Sequence, residues 1–98
     1  RQNASTFCLM ITWDESKRRL NLRKHKIDLA QLEPAFDNPM VSVEDVRLKK
    51  EELRLQSLAM WRGRIVFLVW TPRGDEDAHL ISCRYADRKE TDDYFSSL

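Results

Sequence analysis

At 98 residues, with 42% hydrophobic and 34% charged positions, the chain has the composition of one globular domain (1–98), too small for two cores and too apolar for disorder. The formal charge is +1, and no apolar run approaches the length needed to cross a membrane, which excludes an integral membrane protein built on helices. No segment resembles a signal peptide, and two cysteines, Cys8 and Cys83, make neither a disulfide framework nor a zinc site. Both sit in apolar, strand-like contexts, where a free thiol behaves as a small hydrophobe, so the expected compartment is the cytoplasm. The chain does not begin with Met, and residues 1–6 are read as a trimmed, tagged or disordered terminus.

Phe7 to Trp13 is apolar and β-branched, which predicts a strand. Asp14 offers an N-cap and Glu15 sits where the helix dipole favours an anion, so a helix is expected to about His25, with Leu20, Trp13 and Ile27 turned inward. Asp28-x-x-Gln31 has the form of a capping box for a second helix carrying Leu29, Leu32 and Phe36 on one face. Pro34 disturbs it, and Asp37-Asn38-Pro39 ends it. The period then switches to two, predicting strands over Met40–Val46 and Leu53–Trp61. Arg62-Gly63 is a two-residue hairpin turn, and Ile65–Trp70 reads as a central strand covered on both faces. Thr71–Asp77 is a turn, Ala78–Tyr85 a last strand, and Asp87 caps a final helix that Tyr94 and Phe95 can dock. The order β-α-α-β-β-β-β-α argues for an α+β domain, an antiparallel sheet packed by helices.

Charge is concentrated in one place. Lys17, Arg18, Arg19, Arg23, Lys24 and Lys26 crowd the first helix, and no acid lies among them for i,i+4 pairing. A solvated face would explain a charged helix, but like charges this close repel, and a polyanion would relieve the cost. RNA and an acidic protein both qualify. His25, between Lys24 and Lys26, is expected to be neutral near pH 7, either bonding helix-end carbonyls or contacting phosphate. His79 is equally open. Trp70 is read as core, while Trp13 and Trp61 are left between core anchoring and base stacking. No spacing suggests a metal site or a cofactor.

A second cluster lies around the third strand. Glu52 and Arg54 project from one strand face, and Arg84 and Arg88 lie where the last strand gives way to the last helix. If those ends approach Arg54, an arginine-lined patch holding one carboxylate results. Such a patch suits metal-free cleavage of RNA: a base takes the 2′-OH proton, cations stabilise the phosphorane, and an acid protonates the leaving 5′ oxygen.

The stretch Trp13–Leu29 (WDESKRRLNLRKHKIDL) resembles the N-terminal signature of BrnT-type toxins at Trp13, Asp14, Lys17, Asn21, Lys24, His25, Ile27 and Asp28. The likeness continues through Phe36–Pro39, Glu52-x-Arg54, Gly63–Asp75, Leu80–Glu90 and Tyr94. It implies a RelE-like fold and a ribonuclease toxin of a type II toxin–antitoxin pair. It also implies a BrnA-like antitoxin of ribbon-helix-helix type, through which alone operator DNA is engaged. On this basis Glu52 is the candidate base, Arg54 and Arg84 hold the phosphate with Arg88 beside them, and His25 or His79 is the acid. Lys24, His25, Arg47, Lys50 and His79 are the expected substrate contacts. Three positions depart from the family pattern. Lys26 stands where a small residue, often Gly, follows Lys-His; Lys50-Glu51 stands for Tyr-Gly; and His79 stands for Arg. The alternatives are a catalytically weakened module that binds its antitoxin and co-represses its operon, and a sequence-independent nucleic-acid binder.

Overall fold

The computed structural model describes residues 10–45 and 52–98. Strand β1 (Met10–Trp13) leads into helix α1 (Glu15–His25), two 3-10 turns (Leu29–Gln31 and Glu33–Asp37), strands β2 (Met40–Glu44), β3 (Leu55–Trp61), β4 (Arg64–Arg73) and β5 (Asp77–Tyr85), and helix α2 (Arg88–Ser96). The five strands form one sheet in the order β1-β5-β4-β3-β2. From β2 to β5 every neighbour is antiparallel, whereas β1 pairs parallel with β5, so the sheet is mixed and not antiparallel throughout.

The expected second helix does not form. Asp28 caps the first 3-10 turn through the Ala30 N–H. The reciprocal half of the capping box is missing, because the Gln31 side chain accepts from Arg62 instead. Pro34 falls in the first positions of the second turn, where its missing N–H does least harm. These short turns drop Leu29, Leu32 and Ala35 into the core against Ala59, Trp61, Val66, Leu68 and Leu80.

The hairpin expected at Arg62-Gly63 is present, both residues having positive φ (52° and 79°), as a type I′ turn requires. Strand β4 runs past Trp70 to Arg73, longer than its apolar run. Pro72 is tolerated there because β3 begins opposite Trp70, leaving β4 paired at Pro72 with β5 alone. A bulge at β4 Val69/Trp70 leaves Ile81 as the extra residue of β5. It resets the alternation, so that Leu80 and Cys83, three positions apart, both reach the core. Cys83 is a free buried thiol whose pKa burial pushes up to about 12; Cys8 lies outside the described residues. Trp61 and Trp70 both serve as core anchors. Their indole N–H groups donate to the Gln31 carbonyl and to Ser57 Oγ, and Trp70 meets Phe36 edge-on.

Helix α1 departs most from its expected packing. Leu20 is 54% exposed, and the helix's one buried side chain is Asn21. Strand β1 ends opposite Leu80 and leaves the rest of the β5 edge without a neighbouring strand. The Asn21 amide takes over that edge: its Oδ1 accepts from the Cys83 N–H at 2.9 Å, and its Nδ2 donates to the Cys83 and Ile27 carbonyls, each at 2.9 Å. An apolar stripe was expected to dock α1, and a side-chain amide imitating a strand does so instead. The helix ends on Lys26 in the left-handed region (φ 63°), with its ammonium on the Arg23 carbonyl. A glycine there loses that exposed bond but removes the Cβ strain, so Lys26→Gly is expected to stabilise the protein by about 1 kcal/mol, read as a higher midpoint in urea.

Helix α2 is fixed by a closed capping box between Asp87 and Glu90 and by buried Tyr94, whose hydroxyl donates to the Pro39 carbonyl. Among the described residues no helix is long and apolar enough to cross a membrane.

Candidate functional site

Because β3 and β5 both run antiparallel to β4, they run parallel to each other, and their starting ends lie at the same end of the sheet. The end of β5 therefore does not approach Arg54, as the sequence reading expected; its beginning does. Residues paired directly across strands point the same way, so Thr12, His79 and Thr71 form one row and Arg73 the next, on the face opposite the core. The approach to β3 adds Glu52 and Arg54 to this corner, and the first turn of α1 adds Asp14 and Lys17.

Glu52 is held by Arg73, not by Arg54 or Arg84. Arg73 Nε donates to Oε2 at 2.9 Å and Nη2 to Oε1 at 3.1 Å, a fork-to-fork pair that fixes the guanidinium plane. This bond, then the charges of Arg73, His79 and Arg54, hold the Glu52 carboxyl below the usual glutamate range. A carboxylate so engaged is ionised and a weak base. Both groups are exposed, so the pair adds little stability and mainly sets a position.

His79 Nδ1 lies 2.7 Å from Thr12 Oγ1. Partial burial, then the charge of Arg73, lower its pKa below the ordinary 6.5, with Lys17 adding to the depression and Glu52 and Asp14 opposing it. The ring is therefore neutral at pH 7. If Nδ1–H donates to Thr12, the Nε2 lone pair is free to accept a proton, beside the Arg73 cation.

The other expected residues lie elsewhere. Arg84, about 16 Å along β5 from His79, is clamped to Glu90 by two bonds of 2.9 Å and lies over the Phe67 ring. Arg88 opens α2 at the hairpin end of the sheet, beside Met60, Arg64 and Ile65. The structure thus brings Glu52, Arg54 and His79 together and leaves Arg84 and Arg88 apart from them. Lys24 and His25 sit at the far end of α1. Arg47 and Lys50 lie outside the described residues. Arg73, Lys17 and Thr12 escaped the sequence reading as members of the site, and knowing that β4 ends between the starts of β3 and β5 would have found the first.

The charges of α1 are also sorted. Arg18 is paired with Glu15 and Asp28, and Arg19 with Glu15, whose carboxyl is lowered to about 2 chiefly by the Arg18 bond. Acids flanking the basic run thus neutralise part of it. Among the described residues Lys17, Arg23 and Lys24 make no ion pair.

The protein is thus an α+β domain with a mixed five-stranded sheet, with cations, an imidazole and a carboxylate gathered at one sheet corner. Residues 13–90 match the family described as "Ribonuclease toxin, BrnT, of type II toxin-antitoxin system", and the chain belongs to that family. It is also similar to the crystal structure of the Brucella abortus ribonuclease toxin, BrnT, with 30% identity and a TM-score of 0.63 over 82% of this chain and 99% of that one. A comparison with curated proteins finds no match.

Proposed function

We propose that this protein is a metal-independent endoribonuclease toxin of RelE-like type that acts in the cytoplasm and blocks translation. The observation that carries the reading is the convergence of Glu52, Arg54, Arg73 and His79 at one sheet corner in a chain of a ribonuclease toxin family. His79 Nε2 removes the proton of a ribose 2′-OH. The 2′ oxygen bonds to the adjacent phosphorus, the bond to the 5′ oxygen breaks, and Lys17 delivers a proton to that leaving oxygen. Products are a 2′,3′-cyclic phosphate and a 5′-hydroxyl end. Arg73, fixed by Glu52, and Arg54 carry the extra charge of the phosphorane. Glu52 acts as the holder of Arg73 in this scheme, and His79 replaces it as base, because the ion pair lowers the basicity of the one while burial and the same arginine keep the other neutral.

The partner is a BrnA-like antitoxin of ribbon-helix-helix type, which neutralises the toxin and carries the complex to operator DNA. The test is cleavage of a long natural RNA by purified protein in excess EDTA, alone and with translating ribosomes. Cleavage that survives EDTA is expected. RNA left intact in both settings would overturn the enzymatic reading in favour of a module that only binds its antitoxin, and a requirement for added divalent cation would overturn the metal-free mechanism.

A further inference from the structure

Between α1 and the bulged stretch of β5 runs a groove of about 190 Å³, lined by Lys17, Leu20, Lys24, His25, Ile81 and Ser82. We infer that this groove is a subsite for the RNA backbone outside the cleaved linkage, so that the strand passes from the His79 corner along α1.

Five observations carry it. Lys17 lines the groove, and its charge reaches His79, so one cation serves both the groove and the corner, and their continuity is part of the inference. Lys17 and Lys24 are two helical turns apart and point the same way, about 10 Å from each other along the axis. Neither makes an ion pair among the described residues, whereas Arg18 and Arg19 are matched by acids, so the helix leaves positive charge unbalanced where it faces β5. At the far end Lys24 of α1 and Arg84 of β5 both bear on His25, adding to the effect of burial in holding its imidazole neutral. Of these two cations Lys24 is the one without an ion pair among the described residues, and a phosphate beside it would also favour protonation of His25. Exposed Leu20, with Ile81, supplies an apolar wall for a ribose or base edge, and the Ser82 hydroxyl supplies a donor. An acidic peptide would satisfy the charge, but the cation shared with the corner favours a nucleic-acid strand.

The inference rests on RNA being the ligand of the corner, and its test does not require cleavage. A 2′-O-methyl hexanucleotide, which cannot be cut, is titrated into the protein while the His25 and His79 ring protons are followed by NMR over a pH series. The hexanucleotide is expected to raise the pKa of both histidines and a 2′-O-methyl dinucleotide that of His79 alone. Lys24→Ala is expected to weaken hexanucleotide binding about tenfold and to flatten its salt dependence by about 0.7 in the log–log slope. A His25 that does not respond, a Lys24→Ala protein that binds like wild type, or an aspartate-rich peptide that shifts His25 when the hexanucleotide does not would overturn the subsite. A responsive His25 in a protein that never cuts RNA would sink the proposed chemistry and leave the groove standing. Cleavage with a silent His25 would do the reverse.

Discussion

Replacing His79 by alanine is expected to lower RNA cleavage by roughly 10²- to 10⁴-fold, the usual contribution of a positioned general base, with little loss of stability. Arg73→Ala should fall in a similar range, since removing one preorganised cation from a developing phosphorane costs about 10²- to 10³-fold. Thr12→Val keeps the strand and the side-chain volume but removes the oxygen that orients the imidazole, so an intermediate loss is expected. The pH profile is the sharper readout. Burial and Arg73 depress the His79 pKa below 6.5, so the active neutral form persists below that value and the acid limb of kcat/KM should bend there. Arg73→Ala removes a neighbouring cation while leaving the Glu52 and Asp14 carboxylates, and the limb should then move to higher pH. The stability sign follows from the same depression. The unfolded chain takes up the His79 proton first as pH falls, so this group destabilises the fold progressively from about pH 6.5 down to its folded pKa.

Asn21→Leu is expected to be the most damaging single change to the fold. It keeps the volume but orphans the Cys83 N–H, the Cys83 carbonyl and the Ile27 carbonyl in a place where Asn21 itself is only 4% exposed. Lost bonds to buried backbone groups cost about 1–3 kcal/mol each, so a total of about 3–5 kcal/mol is a reasonable sum. In a domain this small that lowers Tm by roughly 15–25 °C. Asn21→Asp should be no better, because it sets a carboxylate against two carbonyl oxygens. A scanning-calorimetry Tm within a few degrees of wild type for both variants would contradict the view that this amide docks α1.

These two predictions also show how far the sequence could be read. Local chemistry was legible: the Asp14 and Asp87 caps, the Arg62-Gly63 turn, the continuous apolar run of β4 and the buried Tyr94. Asn21 was visible as part of a signature, but a polar residue in a charged helix gives no sign that it completes a sheet edge. The inward turn expected of Leu20 failed for the same reason, since α1 is held by an amide and not by an apolar stripe. Glu52 and Arg54 do lie near each other, but as part of the irregular approach to β3 and not on one strand face, and the grouping with Arg84 and Arg88 was not sound. That grouping depended on which ends of β3 and β5 meet, a long-range fact decided by β4 lying antiparallel between them. The parallel pairing of β1 was equally hidden, because a four-residue strand carries no mark of its partner.

The resemblance led to the expectation of an arginine at position 79, and the imidazole found there has a physical consequence in this setting. An arginine there would add one more fixed cation, while an imidazole adds a group that can exchange a proton near neutral pH. In the proposed scheme the base is therefore the one group at this corner that can exchange a proton near neutral pH.

The most direct measurement is the chemistry of the ends left on RNA cut by the purified protein in EDTA. Attack by the 2′-OH predicts 2′,3′-cyclic phosphate and 5′-hydroxyl ends, and no cutting at a linkage whose 5′-side ribose carries a 2′-deoxy substitution. Ends bearing 3′-hydroxyl and 5′-phosphate, or cutting that ignores the missing 2′-OH, would contradict the account.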